Sequence, residues 1–577
     1  MAAELHLSYL QLLGSLLAIW VSGVIYLVVK GWKSRRLIYR LRKDPRCLPI
    51  PKWNPITGHL LSLVPYLTRL PTDAHQNYLL GELAKYFPQS DSTYYLDIWP
   101  FLMPILLISS PSMAIQACQQ YDLEKPESIV SFFEPFAGRK DHMFTSNGSE
   151  WKKLRSMFNP GFSASYLLSQ MNHIVEETTE FVSILREHAA KNGMFSLDEL
   201  LCDFTMDIIG AVTLNARLHS QRQYNQLASA MRSQVRWHIS SGESNPLKRF
   251  NPIRPLVQWN NGRLMDDYIS RELDERFAER RRSKEAVTRS IIDLVLEDYM
   301  SENEVASRSD SLDPSFKKWA IVQIRLFLFA GHDSTATSLC YSYHFLLQNP
   351  ETLARIRAEH DEVFGTDLST VATQLLQHPQ KINLLPYTNA VIKEAMRLWP
   401  AAAGIRTGTP EAVLRDENGN EYPTDGTAIL ILHNALHRNP KYWKEPDSFL
   451  PERWLVGPDD PLYPLKGAWR PFEFGPRNCI GQTLVMQDMK TVLVMTLRQF
   501  DICNAYDEWD ALHPRKGLKT VLGERAYPVF VSSVHPADGF PCRVTLRKSS
   551  IQLTTFVKVA NGELLGTYSM TRNDQGG

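Results

Sequence analysis

Apolar and polar residues over much of this 577-residue chain repeat with the period of a helix. Between residues 60 and 350 helical stretches are separated by polar breaks, and residues 198–213 (DELLCDFTMDIIGAVT) are a representative amphipathic one. Residues 315–347 predict a long apolar helix, whereas residues 271–284 alternate charge signs and predict a helix with a solvated face. Residues 302–314 read as a polar loop. The pattern changes over residues 402–432, where Gly404, Gly408, Pro410, Gly419 and Gly426 punctuate short β-rich runs such as AILIL. A second β-like stretch covers residues 543–568, and residues 573–577 read as a frayed end. No internal repeat interrupts this order. The expected fold is mainly α with smaller β sheets, in one large domain.

Residues 10–29 (LQLLGSLLAIWVSGVIYLVV) carry no charge. Such a run is about 30 Å long as a helix, the thickness of a bilayer's hydrocarbon core, and predicts a transmembrane helix. Lys30, Lys33, Arg35, Arg36, Arg40, Arg42 and Lys43 follow it, so the positive-inside rule keeps the C-terminal side in the cytosol. A cleaved signal peptide would have a basic start and a shorter apolar run. Pro45, Pro49, Pro51 and Pro55 predict a stiff connector. The expected organisation is an anchor helix over 1–30, a basic, Pro-rich linker over 31–56, a catalytic domain over 57–535, and a β-like extension with a frayed tail over 536–577.

Charge and cysteine usage narrow the function. Lysine plus arginine number 63 and aspartate plus glutamate 62, a net charge of +1, which argues against a dedicated nucleic-acid binder. Seven scattered cysteines without a CxxC pair form neither a disulfide framework nor a zinc pattern, and indicate a reducing compartment.

The sharpest chemistry lies in residues 471–481, PFEFGPRNCIG. Cys479 precedes an apolar helical run, and a thiolate at a helix N-terminus meets exposed N–H groups that favour its metal-binding form. Gly475 suits a turn, Gly481 allows close approach of a flat ligand, Phe472 can shield the sulfur, and Arg477 can pair with an anion. Taken alone, Cys479 would be a buried, inert cysteine. The string as a whole, however, resembles the FxxGxRxCxG heme loop of the cytochrome P-450 family at every fixed position. Four further motifs occur in that family's order, and the resemblance covers roughly residues 45–535. The run HRNPKYWKEPDSFLPERW is similar to fungal microsomal members that tailor secondary metabolites.

The resemblance assigns roles residue by residue. Cys479 is expected as the axial ligand of heme b (iron protoporphyrin IX). Glu394 and Arg397, three apart on one helix face, with Arg453 form a structural Glu–Arg–Arg cluster that fixes the loop. Asp333 and Ser334, at the centre of the long helix, are expected to relay protons for dioxygen cleavage, with Thr335 a second alcohol. The small residues Ala330 and Gly331 would let the planar cofactor approach, and His332 would face into the protein. Trp151 and Arg155, at i,i+4, would hold a heme propionate, and Arg406 is a further propionate candidate. Lys152 and Lys153 would point outward on a basic surface that steers an acidic redox partner. Asn147 opens a glycosylation sequon that a cytosolic location leaves unused.

These assignments imply a monooxygenase inserting one oxygen atom from O2 into a small hydrophobic substrate, a fungal secondary-metabolite intermediate. The chain has no flavin or nicotinamide fingerprint, so electrons would come from an NADPH–cytochrome reductase in the same bilayer. The expected location is the endoplasmic reticulum membrane, single-pass, with the catalytic domain in the cytosol. Two alternatives are a heme-thiolate isomerase or dehydratase working without reductase, which would not need the Asp333–Ser334 pair, and a non-enzymatic membrane adaptor with an inert Cys479. Substrate choice would reside in residues 125–145 and 220–260.

Overall fold

A computed structural model describes residues 2–238, 251–282, 290–302, 311–515, 517–531 and 533–547, with side chains before residue 14 and those of 16, 19 and 302 outside the described set. Helices dominate. Those that position the site are α1 (Ala2–Arg42), α2 (Gly148–Phe158), α3 (Leu197–Leu214), α4 (Gln226–Arg236), α5 (Ile253–Arg282), α6 (Pro314–Gln348), α7 (Pro386–Leu398) and α8 (Gln482–Thr496).

The 35-residue α6 is the axis of the molecule. It starts where Asp313 accepts hydrogen bonds from the amides of Ser315 and Phe316, both 2.9 Å, with Pro314 in the first turn where a missing N–H costs nothing. It ends at Asn349, before Pro350 opens the next helix. Buried apolar side chains surround nearly its whole circumference, as befits a helix inside a large core. Its chief neighbour is α3, whose first turn is capped by Ser196 accepting from the Glu199 amide. The α5 helix, expected to have a solvated face, buries Met265, Ile269, Leu273 and Phe277 on a stripe of i,i+4 spacing.

The sheets are small. Strands β1 (Tyr94–Leu96), β2 (Ile105–Ile108), β7 (Ala428–Ile431) and β4 (Gly404–Thr407) lie in that order, with β2 and β7 parallel. Strands β5 (Val413–Arg415) and β6 (Glu421–Pro423) pair as a ribbon, as do β9 (Pro528–Phe530) and β10 (Val534–Pro536). A three-stranded sheet joins β3 (Phe195–Ser196), β11 (Pro541–Leu546) and β8 (Phe500–Asn504). Thus β11, beyond residue 535 in the segment expected as an extension, is stitched between two strands of the main body. The remainder of the 543–568 stretch and the 573–577 tail lie outside the described residues, as do 303–310 of the polar loop and 239–250 of the proposed substrate region.

The N-terminal region differs from expectation. Residues 31–42 are not a linker but the continuation of α1. Arginine, lysine and leucine are good helix formers, and the first breaker is Pro45. The helix packs onto the body here: Ile38 and Leu41 are buried, and Gly31 stacks tightly on Trp99. Among the described residues no helix is long and apolar enough to cross a membrane, so the transmembrane span read from residues 10–29 is not found there. The side chains of 10–13, 16 and 19 within that run are outside the described set.

Candidate functional site

The Cys479 loop is a turn closed by its own backbone. The Cys479 amide donates to the Phe472 carbonyl at 2.8 Å and the Asn478 amide to Gly475 at 3.0 Å. Gly475 has φ +107°, and a Cβ there would lie 2.7 Å from Gln119 Cγ, so both conformation and space require glycine. Gly481 caps α8, and a Cβ on it would sit 3.9 Å from Cys479 Sγ, in ordinary contact with the sulfur. Phe472 is buried beneath the loop, edge-on to Trp469. Cys479 itself stays accessible. Although the residue is exposed, the protein packed around the sulfur raises the thiol pKa, against the pull of the Gly481 and Gln482 amides and the Arg155 charge.

Buried charges hold this loop from behind. Glu394, Arg397 and Arg453 have no exposed side-chain surface. Arg397 grips Glu394 with two bonds of 2.9 and 2.8 Å, and Arg453 adds a third of 3.1 Å. The remaining Arg397 donors reach the carbonyls of His437, Pro446 and Ser448. His437 donates from Nδ1 to the Arg397 carbonyl and accepts the Arg470 amide at Nε2. Both partners fix a neutral ring, and burial keeps its pKa well below the usual value. Arg470 then bonds Glu473, which also receives Arg406 at 3.1 Å and His433 at 3.2 Å. Burial opposes ionisation of Glu473, but the bond from His433 and the charges of Arg470, His433 and Arg406 hold its carboxyl well below the usual range. An unbroken chain of hydrogen bonds therefore runs from the Glu394 cluster into the cysteine loop.

Around the loop, cations outnumber anions. Arg477 donates to Asn147 Oδ1 at 2.6 Å and to the Ser146 carbonyl, with its guanidinium 5.0 Å from the Trp151 ring. Burial, then repulsion from Arg406, brings its pKa down to about 10. Lys125 is lowered to about 7, by burial first and then by Arg406 and Arg477. Arg155 behaves differently: it donates to the Asn478 carbonyl at 2.7 Å, to Asn478 Oδ1 at 3.0 Å and to Asn159 at 2.9 Å. Trp151 and Arg155, one turn apart on α2, thus grip the same loop at two points. Lys152 and Lys153 are exposed, as expected.

On α6, Ala330 is exposed within the buried middle of the helix, and Ser334, one turn on, is half-buried; they mark its open side. The Ser334 hydroxyl donates to the Ala330 carbonyl at 3.1 Å, and buried Thr335 donates to Gly331 at 2.8 Å. His332 faces inward onto the Leu328 carbonyl. Gly331 also serves the α3–α6 crossing: a Cβ there would lie 2.5 Å from Ile209 Cγ1. Asp333 is buried and pairs with His535 of β10 at 3.0 Å.

The cytochrome P450 family model matches residues 49–524. The chain belongs to the cytochrome P450 family. It is 38% identical to "Cytochrome P450 monooxygenase polC" of Polytolypa hystricis, over 90% of this chain and 92% of that one. It is 31% identical to "Cytochrome P450 monooxygenase acrF" of Aspergillus aculeatus, over 83% and 98%. The crystal structure of the cytochrome P450DA heme domain has the same fold, with a TM-score of 0.65 at 20% identity, covering 87% of this chain and 98% of that one. As a P450 the protein is an oxygen-incorporating oxidoreductase that binds heme b through a cysteine thiolate. The residues present suit that group. Glu473 already serves Arg406, Arg470 and His433, and Arg406 Nε is buried without a hydrogen-bond partner among the described residues, so an anion such as a propionate has a donor to meet. Sequence reasoning missed Lys125, Arg470, Glu473, His433 and His535. Of these only Glu473 and Arg470 carried a signal, their position inside or beside the cysteine loop.

Proposed function

We propose that this P450 uses Cys479 as the axial heme ligand and inserts one atom of dioxygen into a small apolar molecule, an intermediate of fungal secondary metabolism. NADPH would supply the electrons through a separate reductase. The carrying observation is an exposed cysteine residue on a loop held by buried ion pairs, with the cations Arg477, Arg406 and Lys125 close by. Arg477, Arg406 and Lys125 would face the propionates, with Trp151 under Arg477, while Arg155 would hold the loop through Asn478. When bound, heme b supplies the activation of dioxygen. Ser334 has the accessible hydroxyl; turning it away from the Ala330 carbonyl presents an O–H to a water. Thr335, buried on Gly331, is the poorer candidate. Asp333 would deliver the proton that Ser334 passes on.

Membrane attachment is part of the same proposal. Every residue from 20 to 30 is exposed, including Trp20 at 66% and Val28 at 62%, an apolar surface that nothing among the described residues covers. We propose that this segment enters the endoplasmic reticulum bilayer from the cytosolic side, with the basic residues of α1 at the headgroups and exposed Lys152 and Lys153 facing the reductase. Incubation with reductase, NADPH and a panel of metabolites, read by mass spectrometry, tests the function. A product heavier by one oxygen supports it. NADPH consumption without any modified product across a broad panel counts against it.

A further inference from the structure

On the inner side of α6, three ionisable groups from three elements form a line. His535 of β10 has Nε2 3.0 Å from Asp333 Oδ1 on α6, and Nδ1 3.1 and 3.0 Å from the two oxygens of Asp198 on α3. Their relative exposures are 6%, 3% and 8%. The line is not sealed. A cavity of about 640 Å³ is lined by Asp198, His332, Asp333 and His535 at its inner end, and by Glu199 and Arg236 at its outer end. Glu199 and Arg236 are exposed and bond each other at 3.0 Å. Water therefore has a route from the surface to the ring that touches Asp333.

We propose that His535 is the proton inlet of this enzyme, passing protons from the water of that cavity to Asp333, with Asp198 as the positioning residue that holds the ring. The proposal rests on Asp333 acting as the acid of the relay. In the charged state His535 directs Nδ1–H at Asp198 and Nε2–H at Asp333. The Nε2–H bond breaks and an O–H bond forms on Asp333, leaving a neutral imidazole still donating from Nδ1. As the protonated carboxyl turns toward Ser334, Nε2 takes a proton from cavity water. One proton moves from solvent to Asp333 in each cycle, and the reaction consumes protons together with the electrons from NADPH.

The surroundings leave His535 as the group that titrates. Burial opposes its charge, but Asp198 and Asp333 outweigh it and hold the pKa well above the usual histidine value. His332 on α6 and His238 after α4 are both lowered by burial, His238 to about 4, and stay neutral. The Cys202 thiol on α3 is pushed far up by burial and stays protonated. Arg232 on α4 is paired with Asp203, Asp538 lies at the cavity wall, and Ser533 on the strand's own loop is 3.4 Å from Nε2. The inlet is thus charged at neutral pH and discharges as pH rises.

The test uses the full chain with heme, reductase and NADPH, and needs no known substrate. NADPH oxidation, peroxide release and the solvent deuterium isotope effect are followed from about pH 6 to about pH 9. Wild type should slow on the alkaline side with a solvent isotope effect. His535→Gln should slow NADPH oxidation on the order of tenfold or more and lose the alkaline limb. Asp198→Asn should move that limb to lower pH while keeping the ferrous carbon monoxide spectrum. Melting temperature is a second readout: wild type loses stability as pH rises through the His535 pKa, and His535→Gln does not. If His535→Gln fails to bind heme, Asp198→Asn decides. Wild-type rate, isotope effect and pH limb in the folded variants would overturn the inlet. If Asp333→Asn slows turnover at the same time, only the inlet fails; if Asp333→Asn also changes nothing, the acid reading falls with it.

Discussion

Two buried charge networks lie on opposite errands in this protein. Around Glu394 the ions are wholly enclosed and almost every donor is spent on a fixed partner, down to the backbone carbonyls of His437, Pro446 and Ser448. Around His535 the ions are equally close together, but one end of the line meets a cavity that reaches the surface. The first has no way to gain or lose a proton cheaply, so it acts as a clamp. The second can exchange protons without unfolding, so it can work. Access to water, rather than the number or strength of ion pairs, separates a strut from a conduit.

Four substitutions sharpen that contrast. Cys479→Ser should abolish the thiolate-type spectrum of the ferrous carbon monoxide complex; its persistence would move the ligand elsewhere. Glu394→Ala strands two buried arginines and should cost about 3–5 kcal/mol of stability, measured by denaturant unfolding, with loss of heme binding. A small loss there would mean that the enclosed network is not a clamp. Asp333→Asn keeps the shape of the side chain and should leave the fold and the carbon monoxide spectrum intact while slowing turnover on the order of a hundredfold. Gly331→Ala should lower stability by about 1–3 kcal/mol through the Ile209 contact, partly relieved by Ile209→Val, with heme binding retained. Loss of heme without loss of stability would instead place the role of Gly331 at the cofactor.

The enclosed side was far easier to read from sequence than the open one. Cys479, Gly475 and Arg477 sit within one short string, and Glu394 and Arg397 share a helix turn, so local spacing carries their geometry. The helix α6 was also plain, because its apolar run spans its whole length and Asp313–Pro314 marks its start. Asp198 and His535 are 337 residues apart, and no periodicity joins a helix start to a two-strand ribbon. The contact of Gly331 with Ile209 was hidden because a small residue beside polar ones looks the same whether a ligand or a neighbouring helix approaches it. Residues 31–42 were misread because prolines just beyond them suggested a linker, while their own side chains favour a helix. Arg406 shows the intermediate case: its charge was flagged, and its partner Glu473 emerged only when β4 was seen against the loop.

The placement of β11 between β3 and β8 bears on how the protein is made. A ribosome releases residues 195–196 and 500–504 well before residues 541–546. Until β11 arrives, β8 lacks its partner strand, the kind of surface that recruits other nascent chains. A message cut short just before β11 would encode nearly every motif of the enzyme, yet its product would offer chaperones and proteases an open sheet, so synthesis through β11 is itself a checkpoint for the fold.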